Sequence, residues 1–310
     1  MKFTYEIKIS GGKEEQGSID LHRLARLADS ICEIAKGALQ IRVEGISKKR
    51  GDSPTWVKDA VQIRLRNLRE GSTVLVLECE QMKTTLPQLQ GDLFKQDELE
   101  DLSNQTPIGL VVASLQEALQ TEREVRFLDK PLLRNLQGLQ KAFLKEKEVI
   151  AFANQGSFPE LELRASDFSQ IRKLEEITPE PRQMLVSGVV DQLTYSKSQV
   201  VINTPDGNVR ARLDESIAPE QMGKYWGKQA TIAGRAHFRP NGKLAYFEIQ
   251  QVFEANSEAQ AYLALVPEVR TAEEQVSDYM RRNGHRPNRL KDIVGQWPGE
   301  ESYEEIIANL

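Results

Sequence analysis

The stretch that decides the fold is residues 199–213, "QVVINTPDGNVRARL". Two runs rich in strand-forming residues flank "TPDGN", a strong hairpin signal. A second hairpin signal, "RPNGK", lies between Phe238 and Leu244. Three further strand-like segments complete the pattern: "QMLVSGVVDQLTY" before the first hairpin, and "KQATIAGRAHF" and "KLAYFEIQQVFEA" on either side of the second. Between the third and fourth strands, "APEQMGKYWG" predicts a short helix. Because this is the order of an OB barrel, we predict an OB-like antiparallel β-barrel over residues 181–256.

The N-terminal third has a different pattern. Residues 3–9, "FTYEIKI", alternate with period two, as in a half-buried strand. Residues 21–38 repeat apolar positions at three and four, which predicts an amphipathic helix. "LQIRVEGIS" is typical of a strand, and "AVQIRLRNLREGSTVLVLECE" of two strands joined near Gly71. The β-α-β-β-β order predicts a small α+β sheet-and-helix domain over residues 1–82.

Residues 83–180 predict a mainly helical connector domain. Thr106 and Pro107 fit the N-cap and N1 positions of a first helix, and a second helix starts behind Pro131. "VIAFAN" and "ELELRA" predict a short strand pair, and "SDFSQIRKLEEI" predicts a short helix capped by Ser166. After the barrel, an acidic helix over residues 258–283 opens a C-terminal helical tail, residues 257–310. The fold class is therefore α+β with several domains.

Length, charge and cysteine content limit the function. The chain has 310 residues, more than a single core usually holds, and a net charge of -5. That charge argues against a whole surface that binds nucleic acid, although it is compatible with a local basic patch. The start lacks a secretory signal, and no apolar run reaches the length of about 18 residues that a membrane helix needs. We expect a cytoplasmic protein that does not contact membranes, with Cys32 and Cys79 reduced.

No catalytic constellation is visible in the sequence. The three histidines, His22, His237 and His285, are scattered, and no nucleophile, nucleotide or metalloprotease motif accompanies them. Neither the histidines nor the cysteines have the spacing of metal ligands. We therefore predict a protein that is not an enzyme and has no cofactor and no metal site.

The barrel offers candidates for nucleic-acid binding. Single-strand recognition needs aromatic rings for stacking and cations for phosphates. Arg210 and Arg212 are two apart and therefore share one face of their strand. Residues 182–254 contain nine Lys/Arg and seven Asp/Glu, a small excess of positive charge. The tentative set is Lys197, Arg210, Arg212, Arg235, Arg239, Lys243 and Tyr246. The alternative is a scaffold or protein-binding barrel, in which these arginines are ordinary solvent-exposed residues of the outer face.

The C-terminus carries an unusual combination of residues. Trp297 precedes a Pro-Gly bend, and Ser302 with Glu305 forms a capping box that starts a helix at Tyr303. That helix is too short to be stable alone in water, so it must dock on its own chain or on another protein. A tryptophan mounted on a turn and followed by acids indicates an interface anchor.

The last residues, "LKDIVGQWPGEESYEEIIANL", resemble the C-terminal module of bacterial antitoxins that are paired with PIN-type ribonucleases. That module reads W-P-G-[DE]-E-[ST] followed by an acidic-apolar helix. The resemblance covers about twenty of the 310 residues, and such antitoxins usually carry a small DNA-binding domain in place of this long body. It implies a bacterial antitoxin-like protein that neutralises a toxin, a PIN-type ribonuclease, with the partner-binding residues Trp297, Pro298, Gly299, Glu300, Glu301, Glu304, Glu305, Ile306 and Leu310.

Two other functions stay open at this point. The chain could act as an accessory protein that binds single-stranded nucleic acid through the barrel. It could also be an assembly protein that joins copies of itself into a homo-oligomer through the N-terminal sheet. The antitoxin-like function is our leading prediction because the tail is the most specific feature of the sequence.

Overall fold

The computed structural model describes residues 2–12, 18–48, 52–69, 73–86, 102–120, 125–154, 161–194, 198–205, 207–214 and 217–254. All of them belong to one compact unit, Met1–Ala259. The predicted acidic helix after residue 257 and the C-terminal segment lie outside the described residues. In the part described, the chain is a mixed α/β structure with two sheets.

An antiparallel five-stranded sheet forms the first half of the unit. The strands are β1 (Lys2–Ser10), β2 (Ile63–Arg69), β3 (Thr73–Glu80), β4 (Val149–Asn154) and β5 (Leu161–Arg164), in the order β2-β3-β1-β4-β5. The period-two pattern of β1 places Tyr5, Ile7 and Ile9 in the core, as predicted. The strand pair predicted at residues 149–164 is confirmed, and it extends the sheet that β1 begins.

Helices share a single core with this sheet. They are α1 (Leu21–Glu44), α2 (Thr55–Ala60), α3 (Met82–Thr85), α4 (Pro107–Leu119), α5 (Lys130–Gly138) and α6 (Phe168–Ile177), with short 3-10 turns at Leu139–Ala142 and Ala165–Asp167. The predicted cap of α4 is confirmed, since the Thr106 side chain accepts a hydrogen bond from the Gly109 N–H. The core runs without a break from the strands through α1, α4 and α5.

One predicted strand is wrong. The first six residues of "LQIRVEGIS", 39–44, form the end of α1, where Leu39 and Ile41 continue the buried helical stripe. The helix ends at Gly45, whose φ of 87° is left-handed and whose N–H donates to the Ile41 carbonyl. The β-branched residues of this stretch have a high strand propensity. The apolar positions nevertheless continue the helical period of 3.6, and the glycine that follows ends the helix. Helix α2 has no counterpart in the predicted order.

The second half of the unit is a closed five-stranded barrel. Its strands are β6 (Arg182–Thr194), β7 (Gln199–Thr204), β8 (Gly207–Leu213), β9 (Gln229–Phe238) and β10 (Leu244–Glu254), in the order β10-β8-β7-β6-β9. Helix α7 (Pro219–Gly223) lies between the third and fourth strands, as predicted. Strands β8 and β10 pair in parallel, and the other pairs are antiparallel. Val190, Ile202, Ile232 and Phe247 fill the interior.

Both predicted hairpins are confirmed. The first lies between the end of β7 at Thr204 and the start of β8 at Gly207, whose φ of 116° only glycine adopts readily. The second lies between Phe238 and Leu244. Among the described residues, none of the helices combines the length and the apolar character needed to cross a bilayer.

Candidate nucleic-acid interface on the barrel

The strand register aligns four polar residues in a row across the outer face of the barrel. Arg212 on β8 pairs with Glu248 on β10, Glu248 pairs with Arg235 on β9, and Arg235 pairs with Gln183 on β6. Two residues before Arg212, the exposed Arg210 lies on the same face of β8. The row therefore alternates positive, negative and positive side chains, so its net charge is smaller than the arginines alone suggest.

Two of the predicted binding residues contact the N-terminal half of the unit instead. The Arg212 guanidinium lies 3.4 Å from the Glu44 carboxylate at the end of α1. Tyr246 is only 4% exposed and packs beside Gly45, where an added Cβ would lie 3.2 Å from the tyrosine ring. Burial raises the pKa of the Tyr246 hydroxyl well above its usual value. This tyrosine therefore offers no open face for base stacking.

His237 belongs to the same buried contact. Its ring meets the ring of Tyr246 edge to face, with 5.9 Å between the ring centroids. Burial, with the neighbouring Arg235 charge as the second cause, lowers the pKa of His237 from 6.5 to about 4. The imidazole is therefore neutral at neutral pH and adds no positive charge to this surface.

The remaining predicted cations lie near the second hairpin. Arg235 and Lys243 are exposed, Arg239 is half-buried, and the Arg239 N–H donates to the Lys243 carbonyl at 2.9 Å. Arg182, which the sequence analysis did not select, stacks over the Phe238 ring at 4.7 Å from its centroid. Arg182 directly precedes the predicted strand "QMLVSGVVDQLTY", and this is the sequence signal that could have placed it at the start of β6. Lys197 lies outside the described residues.

Other chemistry in the described part of the chain is limited. A small polar pocket beside α1 is lined by Glu33, Lys36, Ser47 and Asp52 among others, and Lys36 forms an ion pair with Glu33 at 2.8 Å. Within the described residues, no group of three or more His, Cys, Asp or Glu side chains is placed to hold a metal ion. Cys32 and Cys79 are free thiols.

Comparisons with protein-family models, with curated proteins and with solved structures each find no match to this chain. All nine residues predicted to bind a partner, from Trp297 to Leu310, lie outside the described residues.

Proposed function

We propose that this chain is a non-catalytic, antitoxin-like protein that binds and neutralises a partner toxin, a PIN-type ribonuclease, through residues 297–310. The observation that carries the proposal is the run Trp-Pro-Gly followed by Glu300, Glu301, Glu304 and Glu305 and by an apolar pair, Ile306 and Leu310.

The chemistry of such a toxin matches the segment. PIN-type nucleases hold a divalent metal between acidic residues and bind RNA phosphates with basic ones. The glutamates of the tail compete with RNA for that basic, metal-binding cleft. Trp297 adds the apolar burial that charge alone does not supply, worth about 2 kcal/mol or more for an anchor residue. Pro298 and Gly299 form the bend that places the indole ahead of the acids.

The test is co-expression with the product of the neighbouring reading frame. The wild-type chain restores growth, whereas Trp297→Ala and a truncation at Gly295 do not. Trp226→Ala is the matched control, because Trp226 is an exposed tryptophan of the barrel whose removal leaves the tail intact. With purified proteins, Trp297→Ala weakens binding by about 30-fold, the equivalent of about 2 kcal/mol. Full rescue of growth by the truncated chain would refute the proposal.

A second candidate function is favoured by the barrel. Its strand order, its parallel β8–β10 pair and its helix between the third and fourth strands support an OB-type barrel that binds single-stranded nucleic acid. Arg210 and Arg235 are exposed cations on strands of the barrel. Each neutralised phosphate contact contributes about 0.7 to the slope of log K against log salt concentration.

That candidate is tested with a single-stranded oligonucleotide column. Arg210→Ala and Arg235→Ala elute at lower salt than the wild-type chain, since each loses a phosphate contact. Arg212→Ala is the matched control on the same strand, because its guanidinium is already engaged with Glu44. No retention of the wild-type chain at low salt would count heavily against this function.

A further inference from the structure

Trp226 is exposed but held in a fixed position. Its side chain is 67% exposed, although the indole Nε1–H donates to the Asp191 carbonyl at 3.2 Å. Two backbone hydrogen bonds join the same turn to β6: the Gly227 N–H donates to the Val190 carbonyl at 2.9 Å, and the Val190 N–H donates to the Lys228 carbonyl at 3.1 Å. The indole is thus anchored through its N–H, while most of the side chain remains exposed to solvent.

The two neighbours Tyr225 and Trp226 have different environments. Tyr225 packs against the barrel core, whereas the Trp226 side chain is exposed. Gly227 then takes a φ of 71°, a left-handed conformation that ends the turn and starts β9. An aromatic ring that is already immobilised loses little further entropy when a ligand binds it.

Two lysines flank this ring in the sequence "KYWGK", residues 224–228. Lys224 and Lys228 are both exposed, and neither forms an ion pair with any other described residue. The hot spots of protein–protein interfaces lie at the centre of well-packed apolar surface. On β6, where Val190 bridges to Trp226, the neighbouring Val189 is exposed, and one valine does not make such a surface. An exposed aromatic ring next to cations is instead the combination with which proteins bind single-stranded nucleic acid.

We propose that residues 224–228 form a stacking site for single-stranded nucleic acid, in which one base stacks on Trp226 while Lys224 and Lys228 bind the flanking phosphates. The site adjoins Gln229 at the start of β9, six residues from Arg235, which is about 20 Å along an extended strand. It is therefore separate from the arginine surface, which is formed by Arg210 and Arg235, and it does not depend on toxin neutralisation through the tail.

The experiment titrates the full-length chain with two labelled 12-mers, oligo-dT and oligo-U, which also distinguish DNA from RNA as the ligand. We expect Trp226→Ala to weaken binding about 5- to 150-fold, the range for loss of one stacked base, and Trp226→Phe to retain part of the affinity. Oligonucleotide quenches tryptophan fluorescence in the wild-type chain and in Trp297→Phe, but not in Trp226→Phe. Matching thermal unfolding curves confirm that the variants are folded.

Salt dependence supplies a second readout. Lys224→Ala and Lys228→Ala each flatten the slope of log K against log salt concentration by about 0.7, whereas Lys83→Ala, an exposed lysine on α3, leaves it unchanged.

Equal affinity of Trp226→Ala and the wild-type chain would overturn the proposal. So would a Trp226→Ala chain that binds oligonucleotide normally but no longer neutralises the toxin, because the turn would then be a protein-binding surface. Loss of binding in Arg235→Ala with normal binding in Trp226→Ala would assign the nucleic acid to the arginine surface.

Discussion

Removal of one partner of the buried ion pair between Arg23 and Glu148 should strongly destabilise the N-terminal half. The Arg23 Nη2 donates to Glu148 Oε2 at 2.7 Å, and the two side chains are 2% and 0% exposed. The Arg23 Nε also donates to the Ala142 carbonyl at 2.8 Å, and the Leu144 N–H donates to Glu148 at 2.8 Å. The pair thus fastens the first turn of α1 to the turn that leads into β4.

The size of the effect follows from this burial. Arg23→Met leaves the Glu148 carboxylate buried without its cation, and Oε1 of that carboxylate already lacks a hydrogen-bond partner within the described residues. Breaking one side of such a pair costs about 3–5 kcal/mol of unfolding free energy. Arg134→Met is the matched control: Arg134 pairs with Glu175 at 2.8 Å but is 56% exposed, so the loss should be about 0.2–1 kcal/mol.

Urea denaturation followed by circular dichroism measures both losses, and the double variant Arg23→Met/Glu148→Met tests the cause. Because neither charge is left alone in the double variant, its loss should be smaller than the sum of the two single losses by at least about 2 kcal/mol. Additive losses would show that the two side chains act independently. A loss below about 1 kcal/mol in Arg23→Met would refute the argument from burial.

Two further predictions concern the barrel. Gly188→Ala should strongly destabilise it, because the new methyl group would lie 2.5 Å from the Asn203 carbonyl oxygen, whereas Gly223→Ala meets nothing within 4 Å and should be nearly neutral in thermal unfolding. The temperature of the unfolding midpoint should also decrease as the pH is lowered from about 6.5 to about 4. Over that range the unfolded chain protonates His237, whereas the folded chain, in which the pKa of His237 is lowered, does not. His237→Gln should remove that part of the pH dependence, and an unchanged profile would contradict the assignment.

Local signals made much of the fold predictable. The two hairpins, the alternation of β1 and the Thr106 cap each depend on a few neighbouring residues, and each is confirmed. The five barrel strands followed from the same kind of signal, because turn chemistry limits where a strand can end. The sharing of one core by residues 5–171 depends on long-range packing, and no local pattern carries that information.

The last six residues of α1 show where a local signal misled. "QIRVE" contains β-branched and charged residues in alternation, which is typical of a strand. The helix persists because Ala38, Leu39 and Ile41 pack into the core on the same stripe as the preceding turns. Gly45 then supplies the left-handed C-cap, a signal that has this meaning only when the preceding segment is a helix. Tertiary packing outweighed a propensity worth a few tenths of a kcal/mol per residue.

The candidate interface was harder to predict than the fold, and Arg212 and Tyr246 show why. An arginine and a tyrosine on the outer face of a barrel have the same sequence pattern whether they bind a ligand or dock against another part of the chain. The residues opposite decide the outcome: Glu44 neutralises the guanidinium, and Gly45 has no side chain to keep the ring away. Both partners come from the end of α1, the segment predicted as a strand. Trp226 is the converse case, because its exposure depends on backbone hydrogen bonds to β6 that leave no trace in the sequence. Which cations and aromatic rings remain available for a ligand is therefore set by how the barrel is packed, and only the structure shows it.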